Sequence, residues 1–245
     1  MREVPDFNKD RWREFISSQE ALFRSSVFDH LANYFEDNLY RADRAGDVMP
    51  VISPNDFNCP GLEIIQGLPA GYDMPCLITD GKPEKGYLFF CAQDPLRNWQ
   101  KHAALTVSTP FGIDNAKFRN SYKNYGAFWE LILRFVKAGY GVWVTDARKV
   151  WTPDYGRADA LAPVFAEVLE REIELVAPAK IFAFGGQAYR SFVKTSAFER
   201  VIGVQHPSYR AKASWKYEGA TREYPDSPQG RLEATVDRYI RAMET

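Results

Sequence analysis

Four short apolar segments, separated by amphipathic stretches, constrain this chain more than any other feature. They are YLFFC (87–91), GVWVT (141–145), KIFAF (180–184) and RVIGV (200–204). Each is too short for a helix and nearly free of polar positions, the pattern of a strand buried on both faces. Residues 122–138, 160–176 and 229–243 instead carry apolar side chains at three- and four-residue steps, and a shorter helix is expected from Gln187 to about Lys194. Strands alternating with helices predict an α/β fold, a three-layer αβα sandwich around a short four-stranded parallel sheet. Residues 1–45 read as a helical N-terminal extension, with Trp12, Phe15, Ile16, Leu22, Phe23, Val27, Phe28, Leu31, Phe35 and Leu39 at helical spacing. From 46 to 86 repeated Pro and Gly break any helix, so an ordered, irregular connection with short strands is expected. All 245 residues are read as a single domain.

Several function classes drop out early. No run of eighteen apolar residues marks a membrane span, and the charged start, MREVPDFNKDRWREF, lacks a signal-peptide core. Cys59, Cys76 and Cys91 form no CxxC pair, and the three histidines, His30, His102 and His206, form no HExxH. Neither metal nor cofactor is therefore expected, and the chain is read as a cytoplasmic monomer. GxGxxG after the first strand, GxxxxGK[ST] and GxSxG are all absent, which argues against dinucleotide enzymes, P-loop enzymes and serine hydrolases. The net charge is -1, yet residues 97–149 hold nine Lys/Arg against three acids. Such a stretch can present one face to a phosphate backbone, or simply form solvated surfaces.

In an open parallel sheet, ligands bind beyond the carboxyl ends of the strands. The residues there are Gln93-Asp94-Pro95, Asp146, Gly185-Gly186-Gln187 and His206-Pro207-Ser208. An Asp and a His on separate strand ends, with no strong nucleophile, suit hydrolysis by an oriented water. Taken singly, each has a plainer reading, Asp94 as a turn cap and His206 as a satisfied loop histidine.

Taken in order, these segments resemble the uracil-DNA glycosylase superfamily. FCAQDPLRN (90–98) resembles its water-activating motif, commonly GQDPY, and QHPSYRA (205–211) its histidine motif, commonly HPSPLS. GVWVTDARKVW (141–151) follows the pattern GVLLLNAVLTV, and KIFAFGGQA (180–188) the strand-and-glycine segment before the histidine. The resemblance covers roughly residues 85 to 215. It implies a DNA glycosylase that flips a base out of the stack and hydrolyses its N-glycosidic bond. Asp94 would stabilise the cationic sugar and orient water, and His206 would donate to the pyrimidine O2 as a neutral imidazole. Ser208, Tyr209, Arg210 and Lys212 would meet DNA, Tyr209 or Arg210 standing where the family has its wedge. Gln93 would line the base pocket. Phe111 in TPFGID is the candidate stacking aromatic, although strict register places Val107 there.

Two departures bear on the substrate. Where the family has an Asn that reads uracil, this chain has Asp146. A carboxylate cannot donate to O4 but can accept from the N4 amino group of cytosine, and a protonated one could also donate to N3. Where the family has an aromatic that crowds C5, this chain has Leu96, which leaves room for a C5 substituent. The expected substrate is a cytosine-type or C5-modified pyrimidine, such as the hypermodified cytosines of phage DNA, with a role in antiviral defence. Uracil excision in base repair and a catalytically inactive, DNA-binding member are the alternatives.

Overall fold

The computed structural model describes residues 9–38, 50–97, 100–122, 125–206 and 227–244. The chain opens with α1 (Lys9–Ile16), a 3-10 turn and α2 (Ser25–Asn38), then β1 (Val51–Ile52), β2 (Ala70–Asp73), β3 (Cys76–Ile78), β4 (Tyr87–Ala92) and β5 (Leu105–Ser108). There follow α3 (Ala116–Arg119), α4 (Tyr125–Lys137), β6 (Gly141–Asp146), β7 (Val150–Trp151), α5 (Tyr155–Ala160) and α6 (Ala162–Val176). The last elements are β8 (Lys180–Phe184), α7 (Gly186–Ser191), β9 (Val201–Val204) and α8 (Pro228–Glu244).

The main sheet has the order β3-β6-β4-β8-β9. Its four expected strands, β6, β4, β8 and β9, are parallel throughout. A fifth, β3, joins the β6 edge antiparallel, which the proline-rich look of residues 46–86 conceals. Alternation along β4 explains why its sequence is wholly apolar. Leu88 and Phe90 pack with α4 and α8 on one face, while Phe89 and Cys91 pack with α1, α6 and α7 on the other. This is the three-layer sandwich. A second, small sheet of order β1-β5-β2-β7 lies outside the four-stranded expectation. In it β2 runs parallel to β5 and antiparallel to β7.

The N-terminal helices are part of the core. Trp12 is fully buried and donates from Nε1 to Pro75 O at 2.8 Å. Phe15 meets Tyr87 and Trp143 edge-on at 5.1 and 5.5 Å. Gln19 reaches further, donating to Glu172 Oε1 at 2.9 Å. Glu172, on α6, has no exposed side-chain surface. It pairs with Lys149 and accepts from Thr145 at 2.8 Å and Trp143 at 3.3 Å. Burial pushes its carboxyl up, and Lys149 and these donors oppose the shift. A lone charge here would be costly, so the four partners hold α6, β6 and the 3-10 turn after α1 in one arrangement.

Trp12→Ala is expected to cost about 3–5 kcal/mol of unfolding free energy, from lost burial and the cavity left behind. Denaturant titration of the variant checks this. A loss near zero would mean that the N-terminal helices are an appendage.

Candidate active site

Strand pairing builds one half of the site. β4 and β6 run in register from Tyr87–Gly141 to Ala92–Asp146. Pairing continues past the strands, with Ala147 N donating to Ala92 O and Arg148 N to Gln93 O, both at 2.9 Å. Asp146 is thereby fixed beside the segment Gln93-Asp94-Pro95. That loop then lies against β2. A Cβ at Gly71 would stand 2.4 Å from Arg97 Cγ and 2.7 Å from the Pro95 carbonyl oxygen, so only glycine admits the approach.

The other half comes from β8, β9 and the segment after β5. Gly185 N donates to Val204 O at 2.8 Å, and Gly185, at φ 98, passes beside His206. Tyr239 on α8 donates to Gln205 O at 2.7 Å and braces the start of the histidine loop. The His206 ring stacks on Phe111 with centroids 5.6 Å apart and planes at 25°. Phe111 has φ 57, rare for a residue with a side chain, and stacks on Phe128 at 3.8 Å. Packing against that second ring holds the strained backbone in place.

The electrostatics separate the groups by role. Gln93 Nε2 donates to Asp94 Oδ2 at 3.1 Å. Burial raises the Asp94 carboxyl above its ordinary range, and the Gln93 amide and then Arg148 work against the rise. Burial lowers His206, which favours the neutral imidazole. Asp146 is 2% exposed, and its Oδ2 is buried with no donor in reach among the described residues. Burial holds its carboxyl well above the usual range; Asp73 and Asp94 add to this, and Lys149 and Arg97 oppose it.

Asp73, at the end of β2, is the site residue that sequence reasoning missed. It is 7% exposed, forms an ion pair with Arg97, and its carboxyl lies within hydrogen-bonding reach of that of Asp146. Burial pushes its carboxyl up to about 6 against the pull of Arg97. Asp114 stands close enough to raise it further, and is itself served by Ser108 at 3.1 Å and Thr109 at 2.6 Å. The only signal for β2 in the sequence is a four-residue stretch, AGYD, among glycines and prolines.

The remaining expected residues distribute unevenly. Phe111 is brought to His206, whereas Val107, the strict-register alternative, is 1% exposed in β5 and belongs to the core. The Gln93 side chain is directed to Asp94. Leu96 stays at the surface, 49% exposed, and the residue that turns inward from its loop is Arg97. Gln93 and Gln187 share a cleft of about 410 Å³ with Arg148 and Arg190. The basic stretch 97–149 is not one continuous face, because Arg97, Arg119 and Lys149 are buried among internal partners. Ser208, Tyr209, Arg210 and Lys212 lie outside the described residues.

Residues 79–224 match the family model of the uracil DNA glycosylase superfamily. The chain belongs to the uracil DNA glycosylase superfamily. The match spans β4, β6, β8 and β9 and both strand-end motifs, and leaves out Asp73 and the N-terminal helices. Membership points to DNA glycosylase activity, with DNA as the substrate. A comparison with curated proteins gives no match. Among the described residues, no helix is long and apolar enough to cross a membrane, and no three His, Cys, Asp or Glu side chains group as a metal site.

The buried acid sets a stability test. An unfolded aspartate ionises near about pH 4, while folded Asp146 keeps its proton to higher pH. Between those points the folded state binds the extra proton, so each pH unit favours unfolding by up to about 1.4 kcal/mol. Asp146→Asn is therefore expected to melt higher than wild type, with the gain larger at about pH 8 than at about pH 5. Thermal melts at the two pH values check this, and a gain that shrinks as pH rises would contradict it.

Proposed function

We propose that this superfamily member excises a cytosine-type pyrimidine, one carrying a C5 substituent, from DNA. The observation that supports the reading is Asp146, an oxygen-only side chain held by strand register beside Gln93-Asp94-Pro95, at the position to which the motif resemblance assigns base reading. Uracil presents an acceptor at O4, which would face the lone pairs of this group. Cytosine presents an N4 amino donor, which it can accept. Leu96 lies at the surface, 49% exposed, so no aromatic ring from that position crowds the C5 side of a base. Hypermodified cytosine in phage DNA fits both features, and its removal would serve antiviral defence.

The chemistry follows from the charges that develop. The bond between C1′ and the base nitrogen breaks, its electron pair leaves with the base, and the sugar becomes cationic. Asp94, ionised and held by Gln93, stabilises that cation and accepts a hydrogen bond from the incoming water. Water adds its oxygen to C1′, and its released proton balances the charge on the base. His206, neutral and stacked on Phe111, donates to O2 of the departing base, where negative charge gathers. Positioned dipoles of this kind are worth about a hundredfold or more in rate. Arg148 and Arg190, on the cleft beside Gln93, suit a neighbouring phosphate, and Ser208, Tyr209, Arg210 and Lys212 are assigned to DNA contact and wedging.

An excision assay with EDTA present tests the reading. Matched oligonucleotides carry uracil, cytosine, 5-hydroxymethylcytosine or its glucosylated form, and alkali converts abasic sites into strand breaks. Breaks are expected at a modified cytosine, and Asp94→Asn should lower the rate about a hundredfold or more while DNA binding survives. Tight binding with no breaks at any base would favour the inactive member. Breaks confined to uracil would remove the substrate assignment.

A further inference from the structure

We infer that Asp73 and Asp146 share one proton, which Asp146 carries and donates to Asp73, while Arg97 holds the charge of Asp73, so that Asp146 meets the base as an acceptor alone. The inference rests on the proposed reading of Asp146 as the base-reading residue, and it assigns Asp73 as a positioning residue for selectivity.

The geometry leaves few other solutions. Both carboxyls are almost wholly buried, at 7% and 2% exposure. They stand on strands of different sheets, Asp73 ending β2 and Asp146 ending β6. Asp73 has a full cationic partner in Arg97, whose guanidinium also donates to Tyr72 O at 3.4 Å. Among the described residues Asp146 has none, and its Oδ2 is enclosed without a donor. Two ionised carboxylates in that contact would repel across a medium too poor to screen them. One proton removes the repulsion and makes a hydrogen bond, and it belongs on the acid lacking a cation. The surroundings agree. Asp73 and Asp94 oppose charge on Asp146, while Lys149 and Arg97 favour it from further off. Tyr72, Cys76 and Cys91 also face it, and burial keeps each of them protonated.

The consequence is a choice of base. A carboxylic acid has a single O–H, and here Asp73 receives it. The proton that the sequence reading would lend to cytosine N3 is therefore already engaged. What Asp146 offers is a carbonyl-like oxygen, neutral and accepting only. It can receive the amino group of a 4-aminopyrimidine and has nothing to give to a 4-oxo base. Neutrality matters as well, since an anion at this position would repel the negative charge on the leaving base. Asp73 is thus a residue of the reaction that lies outside the matched family segment, 79–224.

The test uses the full-length protein and two readouts. Infrared difference spectra of DNA-free wild type minus Asp146→Asn, at about pH 7, should show a protonated-carboxyl stretch lost in the variant. Asp73→Asn should lose the same band at a lower pH than wild type does, because the neighbouring anion no longer opposes charge on Asp146 while burial still does. On an oligonucleotide carrying 5-hydroxymethylcytosine, Asp73→Asn should be at least about tenfold slower at about pH 8 than at about pH 6, a larger drop than in wild type. A wild-type difference spectrum with no lost acid band overturns the shared proton, and it needs only the Asp146→Asn protein to be folded. The band without excision of any probe leaves the shared proton standing and removes the substrate reading. Excision with an unchanged pH profile in folded Asp73→Asn removes the role of Asp73.

Discussion

The site depends on one constraint, the in-register parallel pairing of β4 with β6. Each strand is apolar on both faces because helices cover the sheet on both sides, so its only polar residues of use lie beyond its carboxyl end. Pairing carried past those ends by Ala147 and Arg148 leaves Asp94 and Asp146 no freedom to drift apart. A slip of one residue would turn Asp146 to the other face of the sheet and leave Ala147 or Thr145 in its place.

Around that pairing the protein buries an unusual number of charges, and it treats them in two ways. Far from the strand ends, Glu172 is fully served by Lys149, Thr145, Trp143 and Gln19, an arrangement that fixes helix positions. At the strand ends the acids are under-served. Among the described residues Asp94 has one amide and Asp146 only another acid. Incomplete satisfaction of this kind marks a place where a ligand supplies the missing partners.

What was legible in the sequence follows the same division. The four parallel strands and the helices that cover them were readable because long apolar periodicity announces them, and two short motifs marked Asp94 and His206 beyond the strand ends. Phe111 was readable as an aromatic in a loop, although only its backbone conformation explains why it, and not Val107, reaches His206. The small sheet was not readable, since β1, β2, β5 and β7 are two to four residues long and lie among prolines and glycines. With it went Asp73, whose significance comes from a contact between two sheets and from no local pattern. Arg97 misled in the opposite sense. As one of nine basic residues in its stretch it looked like part of a DNA face, yet it is an internal counter-ion.

The account turns on Asp146 as an acceptor that prefers a 4-amino base. The most direct measurement is the ratio of excision rates on two otherwise identical oligonucleotides, one carrying 5-hydroxymethylcytosine and one carrying uracil, for wild type and Asp146→Asn. Wild type should favour the modified cytosine, and the amide, which can donate to O4, should move the ratio towards uracil by about tenfold or more, the worth of one good base contact. A ratio left unchanged by the substitution, in protein that still cuts DNA, would contradict it.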